Sequence, residues 1–261
     1  MLTLVKIGGS LITDKTQKAS FRQAVMQGLA QEIRQALDGR ADLDLIVGHG
    51  SGSFGHFEAK QHGTMQGVQT AEQWRGFARV ALVASELNFY VAQALDAAGV
   101  PVMRFQPSAS VMATDGVITQ MATDNIELAA RRGIVPLVYG DVAFDNVRGG
   151  TIVSTETVFT TLVQRLPVRE VVLLGEVDGV YDLDKRVIPR ISPENYAQVR
   201  PALGGSEGVD VTGGMLTKVS DMLALAQSNP HMRIRIINGM RADTLRQTLL
   251  GEAEHGTLIH A

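Results

Sequence analysis

Short apolar runs alternate with longer amphipathic stretches along the chain, and glycines mark most of the changeovers. Leu2–Ile7 is a β-favouring run ended by Gly8-Gly9, and Leu43–Val47 is a second, ended by Gly48. Between them Ser20–Leu37 has helical spacing and stops at Asp38-Gly39. Ala71–Ala98 reads as a long helix closed by Gly99 and Pro101, and Pro101–Phe105 as a strand. Val111–Ala113 and Val117–Gln120 flank Thr114-Asp115-Gly116, the signature of a hairpin. Asp124–Arg132 is a helix ended by Gly133, and Ile134–Tyr139 a buried type of strand.

The second half repeats the alternation. Helices are expected over Thr155–Leu166, Ser192–Val199, Met215–Ser228 and Leu245–Leu250, and strands over Val168–Leu174 and Ile234–Ile237. Arg200–Asp210 is glycine-rich and weakly patterned, and reads as a mobile loop. Apolar runs without polar alternation belong to strands covered on both faces. The pattern therefore predicts an α/β protein with a mainly parallel central sheet.

At 261 residues the chain is long enough to bury a sizeable core. A 45% hydrophobic and 20% charged composition is that of a globular protein, which excludes disorder as the main state. The net charge of −3 argues against a nucleic-acid protein driven by bulk charge. With no cysteine, disulfides, thiolate metal sites and cysteine nucleophiles are excluded together. Met1–Ile7 is too short and carries Lys6, so it lacks the form of a signal peptide. Val80–Leu95 is interrupted by Glu86, Asn88 and Gln93, too polar to span a bilayer. The expectation is a cytoplasmic protein that binds neither membrane nor nucleic acid.

Three glycine-rich turns carry the candidate chemistry: Lys6-Ile7-Gly8-Gly9-Ser10, Gly48–His56, and Thr212-Gly213-Gly214 with Lys218 behind it. Glycine lets a phosphate approach backbone N–H groups closely, and a helix start adds donors and a favourable dipole. Each turn alone is equally a plain connection between elements. Lys6 stands apart, since a lysine inside an apolar strand must reach water or meet a counter-ion. Gly50 to Gly55 fits G-x-G-x-x-G, yet the acidic residue of a dinucleotide site is missing about 20 positions on; Glu72 falls in a helix. A P-loop is absent too, because Thr217 stands where that motif has glycine. His49, His62, His231, His255 and His260 have no metal-ligand spacing and receive no role.

Taken jointly, these blocks resemble the amino acid kinase superfamily. The matching stretches are Val5–Ser10 with Thr13-Asp14-Lys15, Val177–Tyr181, and Asp210–Met215 with Lys218, in family order through the whole chain. Gly52-Ser53-Phe54-Gly55-His56 is similar to the isopentenyl phosphate kinase branch, where a histidine ends this loop; fosfomycin kinases look alike here. Two departures stand out: Ser51 replaces the middle glycine of a run of three, and Ser154-Thr155-Glu156 replaces Ser-Gly-Asp.

The resemblance implies a single domain over residues 1–261, a three-layer α/β/α sandwich. About 1–165 would bind the acceptor and about 166–261 the nucleotide. It implies ATP and Mg²⁺ as partners in phosphorylating isopentenyl phosphate to the diphosphate, a step of isoprenoid precursor synthesis, by a homodimer. Lys6, Lys15 and Lys218 correspond to the catalytic lysines and His56 to the histidine holding the acceptor phosphate. Gly8, Gly9, Gly52, Asp178 and Gly214, with Lys6 and Lys218, correspond to the ATP side. Ser51, Gly55 and Gly140 correspond to the acceptor side, and Glu156 to a residue orienting the lysines. No residue is assigned to a metal. For the carbon tail, Trp74 and Phe77 recur at helical spacing behind the acceptor loop, where plain core packing is the competing use. The alternatives are a kinase for another small phosphate or phosphonate such as fosfomycin, and a nucleotide-binding regulatory module without turnover.

Overall fold

The computed structural model describes residues 1–14, 16–203 and 214–261, and among the described residues there are, besides two short 3-10 turns, twelve strands and nine α-helices. In chain order these are β1 (Leu2–Ile7), α1 (Gly9–Ile12), α2 (Gln23–Gly39), β2 (Asp44–His49), α3 (Gly52–His62), α4 (Ala71–Ala97), β3 (Val102–Arg104), β4 (Val111–Thr114), β5 (Val117–Met121) and α5 (Asp124–Arg131). There follow β6 (Val135–Tyr139), β7 (Asp141–Asp145), β8 (Gly149–Val153), α6 (Thr155–Arg165), β9 (Val168–Gly175), β10 (Arg190–Ile191), α7 (Pro193–Leu203), α8 (Gly214–Ser228), β11 (Arg233–Asn238), α9 (Thr244–Leu250) and β12 (Thr257–Ile259).

Eight strands form the central sheet in the order β10-β12-β11-β9-β1-β2-β6-β3. Every pairing in it is parallel except β11 with β12. Alternate residues of β1 feed two different cores, as the period of two in a strand requires. Leu2 and Leu4 pack with Val158, Leu162, Val219 and Met222 of α6 and α8. Val5 and Ile7 pack with Ile33, Leu87, Val91 and Leu245 of α2, α4 and α9. The result is helix, sheet, helix: the expected three layers, with the sheet covered on both faces.

A second sheet, β5-β4-β7-β8, was not legible as such; only its β4–β5 hairpin was. Its β7–β8 arm packs Val142 against Val68, Phe77 and Val80, a small third core beside the start of α4. The turn of that arm is held by Asp145, whose carboxylate accepts the N–H groups of Asp115, Gly116, Val147 and Arg148.

Two expectations need correction. The stretch from Gly52 to His56 is not a loop: it is the opening of α3, anchored by the buried Phe54. The helix of Ser192–Val199 runs on through Pro201 to Leu203, so residues 200–203 are helical. The rest of that expected loop lies outside the described residues.

Candidate active site

The strand ends are level, and glycines follow them. Ile7 pairs with His49 on one side and Leu174 on the other; His49 pairs with Tyr139, and Leu174 with Ile237. Gly8, Gly50, Gly140 and Gly175 come next, with Gly239 one residue further on β11. The chain runs one way from β1 to β2, and later returns to β1's other side as β9. Open α/β sheets bind ligands outside the carboxyl ends of the strands at such a switch point.

Two of the glycine turns touch there, backbone to backbone. A Cβ on Gly9 would lie 2.5 Å from the Gly52 nitrogen, and one on Gly52 would lie 2.2 Å from Thr13 Oγ1. Gly52 also takes a left-handed φ of +49°, directly after Ser51 in the right-handed region. That pairing turns successive N–H groups into a concavity suited to an anion or an electronegative oxygen. Thr13 braces the contact: its hydroxyl accepts from Ser53 N–H at 2.9 Å and donates to the Gly9 carbonyl at 2.7 Å.

Charge converges on the same end of the sheet. Lys6 projects from β1 with its side chain 11% exposed, and its ammonium contacts the Glu156 carboxylate. Glu156 stands in the first turn of α6, behind the Ser154 cap, whose hydroxyl accepts Thr157 N–H. Burial would raise the pKa of Glu156, but the charge and hydrogen bond of Lys6 and the charge of Lys218 hold it below the ordinary value. Lys218, exposed on α8, therefore lies within electrostatic reach of the same carboxylate.

The other expected residues fall around this centre or apart from it. Ser51 is the N-cap of α3, and Gly55 N–H donates to its carbonyl. His56 is exposed on α3, in helix rather than at a loop end. Gly140 N–H donates to the His49 carbonyl, and a Cβ on Gly140 would meet the Thr155 nitrogen at 3.4 Å. Gly214 opens α8 with a φ of +65°. Asp178 is engaged within the chain, by Asn238 at 2.8 Å and Arg241 at 2.6 Å. Lys15 lies outside the described residues.

Trp74 and Phe77 are not at the centre. Phe77 is buried in the third core, and Trp74 packs edge-on to it with centroids 5.2 Å apart. Phe144, which sequence reading passed over, completes a trio at 5.9 Å from Trp74 and 5.3 Å from Phe77. Ala59, one turn along α3 from His56, packs in that core as well.

Sequence reading also missed a polar chain beside the glycine turns, buried at His49 and Asn88 and reaching the surface at Arg104. His49 contacts Asn88 Nδ2 through Nε2 and the Gly50 carbonyl through Nδ1, both at 3.0 Å. Arg104 Nε donates to Asn88 Oδ1 at 2.7 Å. The reasoning that singled out Lys6, a polar residue in an apolar strand, would have found His49 too.

A model of the family described as the amino acid kinase family matches residues 1–238. The chain belongs to the amino acid kinase family. Within the family it is similar to isopentenyl phosphate kinases. It is 31% identical to that of Methanocaldococcus jannaschii over 260 residues, 97% of each chain. Against that of Haloferax volcanii it is 35% identical over 225 residues, 86% of this chain and 88% of that one. A solved structure of an isopentenyl phosphate kinase superposes with a TM-score of 0.82 at 29% identity, covering 99% of this chain and all of the other. Like other amino acid kinases, this chain is thus a phosphotransferase built on a mostly parallel sheet between helical layers.

Proposed function

We propose that this chain transfers the γ-phosphoryl group of ATP to the phosphate of isopentenyl phosphate, giving isopentenyl diphosphate and ADP. The observation that carries the reading is the pairing of Lys6 with Glu156 beside glycine turns at the sheet's carboxyl end, with Lys218 in electrostatic reach. Near-full-length likeness to isopentenyl phosphate kinases supports the choice of acceptor.

The chemistry suits these groups. A phosphate monoester has a second pKa of about 6, so at neutral pH it is mostly a dianion and needs no general base. One of its oxygens bonds to the γ-phosphorus while the bond from that phosphorus to the β–γ bridging oxygen breaks, and ADP leaves. The obstacle is bringing two anions together, so catalysis is positioning and charge neutralisation. Lys6, Lys15 and Lys218 carry that role, with Glu156 holding the Lys6 ammonium in place. Backbone N–H groups at Gly9 and Gly52 line the transferred phosphoryl group, while Gly8, whose N–H donates to the Leu174 carbonyl at 2.9 Å, lets the chain turn beside it. His56 hydrogen-bonds the acceptor phosphate, with Ser51, Gly55 and Gly140 beside it. Trp74, Phe77 and Phe144 border the carbon tail. Asp178 and Gly214 belong to the nucleotide side, so about 1–165 serves the acceptor and about 166–261 the nucleotide.

Mg²⁺ enters with ATP. Among the described residues no three carboxylates or histidines gather into a metal site. In kinases a magnesium ion is carried by the nucleotide's phosphates together with one or two carboxylates. When bound, it neutralises charge on the β- and γ-phosphates.

The chain works in the cytoplasm, where ATP is supplied, as a homodimer. β3 is an edge strand, and Leu82 and Phe89, seven residues apart on α4, are 59% and 46% exposed, with the Phe89 ring under Arg104 of that strand. An apolar patch along a free edge is a surface that a second copy would cover. Sedimentation of the purified protein measures that state.

A substrate panel tests the function. Isopentenyl phosphate with ATP is expected to yield ADP and the diphosphate at a higher kcat/KM than fosfomycin does. Preference for fosfomycin would replace the acceptor, and ATP binding without ADP release on any acceptor would make the chain a regulatory module.

A further inference from the structure

The proposed chemistry leaves His49 unused, although its ring lies directly under the Gly50–Ser51 peptide. Its hydrogen bonds have one possible direction. A carbonyl oxygen can only accept, so the contact to Gly50 puts the proton on Nδ1. Nε2 must then accept, from the Asn88 amide nitrogen. Arginine Nε can only donate, so Asn88 has to turn its oxygen to Arg104, which leaves its nitrogen facing the ring. Arg104 is held in turn by the Ser85 hydroxyl at 2.8 Å and carbonyl at 3.2 Å, and lies over the Phe89 ring. The ring is 1% exposed and stacks on Tyr139 with an interplanar angle of 2°.

The residue these bonds pin is one that would otherwise move. Gly50 has no side chain to resist rotation of its flanking peptides. The peptide before it is fixed by Gly50 N–H donating to the Ile7 carbonyl at 3.0 Å and by Thr155 Oγ1 donating to the His49 carbonyl at 2.6 Å. The peptide after it is fixed by the imidazole. In a planar trans peptide the C=O and N–H point opposite ways, so a carbonyl turned in to His49 directs Ser51 N–H away from the core. A flip would present a carbonyl oxygen to the phosphates instead of a donor.

We propose that His49, oriented by Asn88 and Arg104, is a positioning residue of the transfer site: its Nδ1–H holds the Gly50–Ser51 peptide with the Ser51 N–H facing the phosphates. The inference rests on the kinase reading of the same site. It makes the direction of a backbone donor, rather than a side-chain charge, the thing that His49 supplies.

Substitution by shape tests it. His49→Asn places an amide nitrogen the same number of bonds from Cα as Nδ1 and keeps the donor, whereas His49→Leu removes it. His49→Leu is expected to lower kcat on isopentenyl phosphate by roughly 10²-fold, the size of a lost oxyanion donor. His49→Asn is expected to stay within about fivefold of wild type, and Kd for ATP by calorimetry to move less than about threefold in both. Arg104→Met, at an exposed position, is expected to cost about three- to tenfold in kcat by loosening the chain. Wild-type kcat in His49→Leu, or an asparagine variant no better than leucine while both bind ATP, overturns the proposal. If neither buried variant folds, Arg104→Met decides, and an unchanged kcat there overturns it. A wild type that turns over no acceptor defeats the kinase reading instead. The positioning claim is then read from the Ser51 amide resonance on adding ATP, and an identical shift in wild type and Arg104→Met refutes it.

Discussion

The Lys6 ammonium meets the Glu156 carboxylate across the gap between the end of β1 and the start of α6, with the lysine side chain mostly buried and the glutamate about one-third exposed. A buried cation whose partner is removed is left uncompensated, and the pair's purpose shows in which partner can be varied. Glu156 is one methylene longer than aspartate, and it reaches Lys6 from the first turn of its helix.

Glu156→Gln should therefore keep the fold and lose turnover. The glutamine still accepts a hydrogen bond from Lys6 but carries no charge to fix it. We expect kcat to fall roughly 10- to 100-fold with a smaller change in KM for ATP, because the lysine acts on charge that develops in transfer. Glu156→Asp should fall between glutamine and wild type. Equal kcat in all three enzymes would remove Glu156 from lysine orientation.

His56 is exposed on α3 and not in a loop, so its substitution leaves the core untouched. His56→Ala should raise KM for isopentenyl phosphate by about 10- to 100-fold, the worth of one charge-assisted hydrogen bond, with thermal stability nearly unchanged. His56→Gln keeps a donor and should recover part of the loss. An unaltered acceptor KM in both variants would place the phosphate elsewhere.

The aromatic trio changes which residue best tests the tail pocket. Phe77 is 6% exposed, so Phe77→Ala would cost about 3–5 kcal/mol of stability and confuse packing with specificity. Phe144 is 47% exposed on β7 and touches the same two rings. Phe144→Ala should therefore raise kcat/KM for geranyl phosphate relative to isopentenyl phosphate while leaving KM for ATP unchanged. The half-buried Trp74 makes a second probe. A constant ratio of the two acceptors in Phe144→Ala and Trp74→Ala would mean that the trio only packs the third core.

What was legible in the sequence follows one physical line. The covered strands showed because apolar runs such as Leu2–Ile7 tolerate little interruption, and Lys6 showed because it interrupts one. Glu156 lies 150 residues further on, and nothing local in the sequence pairs it with Lys6; the family resemblance supplied the link. β7 and β8 did not read as strands, since Asp141, Asp145 and Gly149-Gly150 break their apolar pattern. Asp145 makes sense there only once folding brings four backbone N–H groups to it. α3 was hidden by composition, because glycines at Gly52 and Gly55 read as loop until Gly9 and Ser51 are seen packed against them. His49 was weighed only as a metal ligand, and the partners that give it another use, Asn88 and Arg104, lie 39 and 55 positions away in the chain.

Two buried groups give stability a dependence on acid that can be separated by variant. Burial lowers the His49 pKa to about 4, reinforced by the charges of Arg104 and Lys6 and opposed by the bond to Gly50. Its folded pKa lies below its unfolded value of about 6.5, so the unfolded chain takes up the proton first. The associated stability is complete above pH 6.5 and is lost as pH falls toward 4, a total of roughly 3 kcal/mol. Burial would raise the Asp145 pKa, but N–H groups of Arg148, Gly116, Val147 and Asp115 bring it down to about 2. Its contribution is complete above about pH 4 and is lost between there and about 2, roughly 2 kcal/mol in all. Urea unfolding at a series of pH values reads both windows. The difference between wild type and His49→Asn should shrink from pH 7 to 4, and that between wild type and Asp145→Asn should shrink from pH 4 to 2. A difference independent of pH for His49→Asn would mean that the folded imidazole takes up a proton as readily as the unfolded one, so that Nε2 is not committed to accepting from Asn88.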